Sequence, residues 1–189
     1  MKISLSSFPR FFDRFDWRKR KMKKTLITLA TAVMMFLGAT APFTTIEAQA
    51  AEQTQTMDSE LLNDINQLRA EQGLPALTLD NSLNDIAEIR SNEIIDNWSH
   101  TRPDGTSGCD MISADNYRGE NLSYISYDDF DFSASDQTDA ADSVFSSLKD
   151  SPAHYNNMVN SNYTKVGIRT SVSQTSDGIK LSTAYMFSN

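Results

Sequence analysis

The stretch Tyr163-Thr164-Lys165-Val166-Gly167-Ile168 is rich in β-branched and aromatic residues, a composition typical of a β-strand. A second such stretch covers Ile179–Phe187, and Ser176-Asp177-Gly178 between the two has the turn chemistry of a β-hairpin. A further short strand is predicted over Asn121–Ile125, directly after Glu120. These strands are expected to pair in an antiparallel sheet.

Amphipathic helices are predicted mainly before these strands, since apolar residues recur there at helical spacing. Their expected limits are Asp58 or Ser59 to Gly73, Asp80 or Asn81 to about Trp98, Asp139 to Lys149, and a short helix that Ser151 caps before Pro152. Early helices and late strands, with no β-α-β alternation, predict an α+β fold.

An acidic segment lies between these elements, over Tyr127–Thr138. Its Asp128, Asp129 and Asp131 could chelate calcium, because hard cations bind several oxygen ligands. The spacing lacks the glycine and the closing glutamate of an EF-hand loop. A solvated acidic loop is therefore the favoured interpretation.

The charge of the chain is divided unevenly. Residues 1–50 contain nine Lys or Arg and three Asp or Glu, whereas residues 51–189 contain eight and 22. A body this acidic repels phosphate backbones and anionic lipid surfaces, which argues against nucleic-acid binding. The single cysteine, Cys109, excludes a framework of disulfides within the chain.

The basic N-terminal region has the pattern of a secretory signal. Lys23-Lys24 precede an uncharged run over Thr25–Ile46, and Ala48-Gln49-Ala50 supplies the small residues of a cleavage site. We expect cleavage after Ala50 and secretion. The alternative is an uncleaved membrane anchor, but the apolar core is short and Pro42 interrupts its end.

The expected organisation follows from this signal. Residues 1–50 are an N-terminal extension and signal peptide, residues 51–57 a short polar leader, and residues 58–189 one folded domain. Residues 1–21 are unusual in front of a signal, and we expect Met22 to be the working start. Membrane contact is expected only through the signal, and the mature chain is expected to be a monomer.

Two histidines and one glutamate are the strongest candidates for metal-binding or catalytic residues. His100 lies in Ser99–Gly105, His154 in Ser151–Asn157, and Glu120 follows Gly119, for which we expect an unusual backbone angle. Two imidazoles and a carboxylate could hold a metal, zinc being favoured, with an open fourth position. They could also form a general acid–base set without metal, or hydrogen bonds that tie loops together.

The cysteine, the serines and the aromatic residues are weaker candidates for a functional site. Cys109 is expected to be a free thiol rather than a nucleophile, because Asp110 would raise its pKa, and an intermolecular disulfide stays open. No G-x-S-x-G motif accompanies the serines. Several aromatic residues could line a groove for an apolar ligand, although packing explains most of them: Tyr117, Tyr124, Tyr127, Phe130 and Phe132.

Six short motifs follow one another in an order that resembles the CAP superfamily of cysteine-rich secretory proteins, antigen 5 and pathogenesis-related proteins, in its bacterial, SCP-like form. They are Asn66-x-x-Arg69 with Gly73-Leu74-Pro75-Ala76-Leu77, Leu83-x-x-x-Ala87, Ser99-His100-Thr101-Arg102-Pro103-Asp104-Gly105, Gly119-Glu120-Asn121-Leu122, Ser151-Pro152-x-His154-x-x-Asn157 and Tyr163-Thr164-x-Val166-Gly167-Ile168. Each motif is common alone, but six in order are specific. The resemblance covers residues 58–189.

The resemblance implies an α-β-α sandwich, with a central antiparallel sheet between helical layers, and a cleft where His100 and Glu120 meet. It also implies secretion, and some members bind a divalent metal in the cleft. Eukaryotic members have a second histidine where this chain has Asn162, and a second glutamate near Lys149-Asp150-Ser151. Their four-residue cleft is incomplete here, and His154 is expected to enter it instead.

Two function classes follow. The first is a non-catalytic extracellular module that binds a ligand, a metal or a surface component through His100, Glu120 and His154. The second is a metal-assisted hydrolase or protease, with His100 and His154 as ligands and Glu120 as ligand or base. The lack of an evident nucleophile and the missing fourth cleft residue favour the module over an enzyme.

Overall fold

The computed structural model describes residues 53–176 and 178–189 of the chain. Its helices are α1 Gln55–Glu71, α2 Asn81–Asp96, α3 Ala134–Asp150 and α4 Pro152–Met158, with a 3-10 helix at Gly108–Met111. Its strands are β1 Thr78–Leu79, β2 Arg118–Tyr127, β3 Lys165–Thr175 and β4 Gly178–Ser188.

The four strands form one sheet in the order β1-β3-β4-β2. The predicted hairpin is confirmed, because β3 and β4 pair antiparallel from Lys165↔Ser188 to Thr175↔Gly178. β2 pairs antiparallel with the other edge of β4, and it is longer than predicted. The sheet is mixed rather than purely antiparallel, because β1 pairs parallel with β3. β1 has only two residues, which is too short for a sequence pattern to predict it as a strand.

Helices cover both faces of the sheet, which confirms the α-β-α sandwich. Along β4, Leu181, Tyr185 and Phe187 join the core formed with α1, α3 and α4. The alternating residues Ala184 and Met186 join a smaller core with α2. This alternation follows from the two-residue period of a strand, and it makes β4 the shared wall of the two cores.

The first helix begins earlier than predicted, at Gln55. Asp58 is not its cap but a buried residue inside it. The Thr54 hydroxyl donates to the Thr170 carbonyl over 3.0 Å, and Met57 is fully buried. The expectation of an unpatterned leader over residues 51–57 is therefore wrong for residues 54–57, because their few apolar and hydroxyl groups are used for packing.

The acidic segment is also more ordered than predicted, since α3 begins at Ala134 rather than Asp139. The Ser133 hydroxyl caps the helix by accepting from the Asp136 N–H. Asp131 accepts from the Ser133 N–H over 2.8 Å, and Asp136 from the Asp131 N–H over 3.2 Å. These two carboxylates thus stabilise the start of a helix.

The other helix ends follow the predictions with two corrections. Asp80 caps α2 as expected, by accepting from the Ser82 and Leu83 N–H groups, but the helix ends at Asp96 rather than Trp98. Gly73 follows α1 with the positive φ that suits a helix end. Ser151 precedes α4 without a side-chain capping bond, so the Pro152 that follows it is the clearer start signal.

The predicted signal segment, the start at Met22 and the cleavage after Ala50 lie outside the described residues. Among the helices that are described, none is long and apolar enough to cross a membrane.

Candidate functional site

His100 lies in the loop that follows α2. The loop turns sharply at Gly105, whose N–H donates to the Arg102 carbonyl over 2.9 Å and whose φ is +87°. The Gly108 N–H then donates to the His100 carbonyl over 2.9 Å. The predicted turn at Pro103-Asp104-Gly105 therefore closes the loop on itself and fixes the backbone of His100.

Glu120 lies near the start of β2, on the face of the sheet that α2 covers. Its Oε2 is 2.6 Å from His100 Nδ1. The Glu120 side chain is 2% exposed, whereas that of His100 is 62% exposed. A buried carboxylate therefore holds an imidazole that remains open to solvent.

Two glycines near Glu120 are required for space. A Cβ on Gly108 would lie 2.1 Å from Glu120 Oε1, so the backbone there lies directly against the carboxylate. A Cβ on Gly119 would lie 2.4 Å from Tyr163 Oη. The unusual backbone angle expected for Gly119 is wrong, because its φ is not positive.

Arg90 is the principal partner of Glu120 that the sequence analysis missed. This fully buried side chain donates from Nε to Glu120 Oε1 over 2.7 Å and from Nη2 to the Ser99 carbonyl over 2.8 Å. It follows Leu83 and Ala87 and precedes Ile94 on the inner face of α2. A charged residue at an inward position of a helix was the available signal, since such a residue requires a buried partner.

Glu93 extends this ion pair towards the surface. It accepts hydrogen bonds from Arg90 and also from Arg102, whose Nη2 is 2.7 Å from Glu93 Oε1. Burial by itself would raise the pKa of Glu93, but the hydrogen bonds from Arg102 and Arg90 outweigh it and lower that pKa. Arg102 also pairs with Asp104 in the turn. Alternating charges thus connect the turn to the buried Glu120.

His154 approaches the same region from α4. Its carbonyl accepts from Asn121 Nδ2 over 3.0 Å, and Asn157 Nδ2 donates to the Glu120 carbonyl over 3.2 Å. Burial lowers the pKa of His154, and the charge of His100 lowers it further. The structure therefore places His100 and Glu120 in direct contact. His154 lies on α4, which is bonded to the Glu120 carbonyl through Asn157, and the pKa of His154 is lowered by the charge of His100.

Glu120 fits poorly as a metal ligand, because its two oxygens already accept from Arg90 and His100. In the part of the chain that the structure describes, no group of three or more His, Cys, Asp or Glu residues is arranged to hold a metal ion. The nitrogen donors that remain for a metal at this site are those of His100 and His154. The acidic segment with Asp128, Asp129 and Asp131 likewise offers no such group among the described residues.

Cys109 is a free, partly buried thiol in the 3-10 helix. Burial raises its pKa, and the negative charge of Glu120 raises it further. Asp110 acts in the predicted direction, with a smaller effect. The thiolate needed for nucleophilic attack is therefore disfavoured beside His100.

Residues 62–187 match the model of the CAP family, described as the cysteine-rich secretory protein family. An outer surface protein of Borrelia burgdorferi is similar in structure, with 19% identity, a TM-score of 0.53, and coverage of 72% of this chain and 94% of that chain. An extracellular protein of Bacillus anthracis that contains an SCP domain has 20% identity and a TM-score of 0.51, and the match covers 70% of this chain and 40% of that one. The comparison with curated proteins finds no match.

Proposed function

The chain belongs to the CAP family, and we propose that it acts outside the cell as a non-catalytic module that binds a divalent metal through His100. The observation that carries this proposal is the 2.6 Å contact between exposed His100 and buried Glu120. Secretion is supported by the signal pattern in residues 1–50 and by the extracellular SCP-domain protein of similar fold.

The contact with Glu120 prepares His100 to act as a ligand. A carboxylate can only accept, so we assign the proton to His100 Nδ1, which leaves the Nε2 lone pair available. Histidines that ligate metals in proteins commonly donate their other N–H to a carboxylate in this way, which orients the ring and increases its basicity. Glu120 therefore serves as an outer partner of the site rather than as a ligand.

Zinc suits the two imidazoles better than calcium, because zinc binds nitrogen and calcium requires several oxygen ligands. His100 and His154 would hold the ion. With only two protein ligands, the ion would supply open coordination positions for an external ligand or a surface component.

Calorimetric titration of the purified protein with Zn²⁺ tests this proposal. We expect one ion per chain, no measurable binding in His100→Ala, and weaker binding in His154→Ala. Asp128→Asn, which removes an exposed carboxylate of the acidic segment, is the control and should bind as the wild type does. Absence of zinc binding in the wild type, or binding that survives His100→Ala, would reject the proposal.

Metal-assisted hydrolysis is the second candidate, because a divalent ion held by His100 and His154 would activate a bound water as a nucleophile. The raised pKa of Cys109 argues against covalent catalysis by the nearby thiol. Peptide and ester substrates discriminate between the two functions. Turnover that is lost in His100→Ala, and that requires added metal in the wild type, would replace the module with an enzyme.

A further inference from the structure

Two exposed aromatic rings meet beside the end of α2. The side chains of Trp98 and Tyr124 are each about half exposed, at 49% and 53%. Their ring centroids are 4.8 Å apart and the planes are nearly perpendicular. Together with Lys180 they form a surface that we call the aromatic patch. Apolar residues that are exposed singly are ordinary on a protein surface, whereas these two rings are in contact and form one continuous apolar surface.

The aromatic patch is held in place by three separate elements. Lys180 Nζ lies 4.8 Å from the centroid of the Tyr124 ring, and it donates to the Ile95 carbonyl near the end of α2 over 3.3 Å. Tyr124 pairs with Ser182 across the β2–β4 ladder, so that Lys180 is its diagonal neighbour on the same face. Trp98 comes from the loop after α2. Rings fixed in this way need little ordering when a ligand binds.

The size of the patch limits what can bind to it. Two half-exposed rings offer about 200 Å² of surface, whereas a protein partner typically covers about 800 Å². An anionic membrane is disfavoured as well, because residues 51–189 carry 22 acidic and eight basic side chains. The patch is therefore suited to a ligand of one or two rings.

We propose that the aromatic patch binds a glycan, with the face of a sugar ring stacked on Trp98 and the rim of the sugar against Tyr124, whose ring is nearly perpendicular to that of Trp98. The face of a pyranose presents C–H groups with a slight positive charge, which complement the negative face of an aromatic ring. Its hydroxyls point from the rim, where the remaining N–H groups of Lys180 and the exposed Ser126 hydroxyl can bind them. An apolar face with a polar rim matches this surface better than a purely apolar ligand does.

This site lies outside the contact between His100 and Glu120 but close to it. Trp98 precedes His100 by two residues, and Tyr124 follows Glu120 by four residues on the same face of β2. A bound oligosaccharide would therefore extend beside the proposed metal site. The inference goes beyond the proposed function and does not depend on it, because the two sites use different side chains.

Tryptophan fluorescence tests the proposal directly. The chain contains two tryptophans, Trp17 and Trp98, and Trp17→Phe in the full chain leaves Trp98 as the sole reporter. The probes are the tetramers of β-1,4-linked N-acetylglucosamine and of β-1,4-linked glucose. We expect a saturable change in Trp98 fluorescence with at least one tetramer. Absence of saturable binding with both tetramers would overturn the proposal.

Calorimetry with the tetramer that binds then locates the site. Trp98→Ala and Tyr124→Ala should each weaken binding by about tenfold or more. Tyr117→Ala is the matched control, because Tyr117 is 60% exposed but lies before the start of β2, far from Tyr124. Equal losses in Tyr117→Ala and Trp98→Ala would overturn the proposal, as would binding to phosphatidylglycerol vesicles that depends on Trp98.

The two proposals fail separately. Trp98→Ala should retain zinc binding, and His100→Ala should retain glycan binding. Melting temperatures of all variants, measured in parallel, show whether each one is folded. If Trp98→Ala melts as the wild type does and still binds the tetramer equally well, the glycan site is rejected and the zinc proposal is unaffected.

Discussion

Replacing Gly119 with alanine would place a methyl group 2.4 Å from Tyr163 Oη. Tyr163 cannot move freely, because its hydroxyl donates to the Arg118 carbonyl and its ring stacks on Phe187. We expect Gly119→Ala to lower the free energy of unfolding by about 1–3 kcal/mol, as overpacking does. Urea denaturation measures the change.

A second substitution shows whether space is the cause. Tyr163→Phe removes the hydroxyl, so it should recover part of the stability lost in Gly119→Ala. Gly105→Ala tests backbone strain without crowding, because that glycine has a φ of +87° and no atom lies within 4 Å of the Cβ that alanine would add. If Tyr163→Phe gives no recovery, the cost at position 119 has another origin.

Asp58 gives the fold a pH dependence. Burial raises its pKa to about 7, against the opposing hydrogen bond from Thr170 and the charge of Arg169. The folded state therefore favours the protonated form. The stability associated with this group is fully present below the unfolded pKa near 4 and is lost as the pH rises to about 7. The loss is on the order of 4 kcal/mol.

The variant Asp58→Asn tests this pH dependence, because an amide resembles the protonated acid. We expect the difference in unfolding free energy between variant and wild type to favour the variant increasingly from pH 4 to pH 7. Above pH 7 the difference should stay level. Denaturation curves at several pH values measure it, and a difference that does not change with pH would contradict the raised pKa.

At the scale of helices and strands, Ser133 and Ser151 each directly precede a helix but act differently. Ser133 accepts from the Asp136 N–H, whereas Ser151 makes no side-chain capping bond. Ser133→Ala should therefore cost about 1 kcal/mol of stability. Ser151→Ala should stay within about 0.5 kcal/mol of the wild type. Equal costs in chemical denaturation would show that the capping bond is not the cause.

The sequence predicted those parts of the helices in which apolar residues recur at regular spacing. Leu61 and Ile65 in α1 and Ala87 in α2 are fully buried, because apolar residues at helical spacing mark the side of a helix that faces the core. The beginnings of α1 and α3 were missed, because their buried residues include the polar Thr54 and Gln137. Gln137 is buried through bonds to the backbone at Met57 and Phe132, which no local pattern shows.

The candidate site was predictable only in part, for the same reason. The approach of His100 to Glu120 was implied by the resemblance to the CAP family, and the structure has the two side chains 2.6 Å apart. The role of Arg90 depends on Glu120, which is 30 residues away in sequence. Only the structure shows that one oxygen of Glu120 accepts from Arg90 and the other from His100. Such an assignment requires coordinates, and it changes Glu120 from a possible ligand into a partner of His100.

At the scale of the whole molecule, residues 54–57 belong to the fold. A chain that begins at Asp58 would lose the fully buried Met57 and the bond from Thr54 to the Thr170 carbonyl. We expect it to be less stable by about 2–5 kcal/mol than a chain that begins at Ala51. Urea denaturation compares the two chains. Equal midpoints and slopes would mean that residues 51–57 contribute nothing to stability.

The order β1-β3-β4-β2 also determines when the protein can fold. β2 and β3 do not pair with each other, because each pairs with β4, the last of the four strands along the sequence. While a chain is being synthesised, β1 can pair with β3, but no strand joins β2 to that pair until β4 has emerged. Formation of the complete sheet is therefore delayed until β4 has been synthesised, and until then the edge of β2 that β4 covers stays without its partner strand.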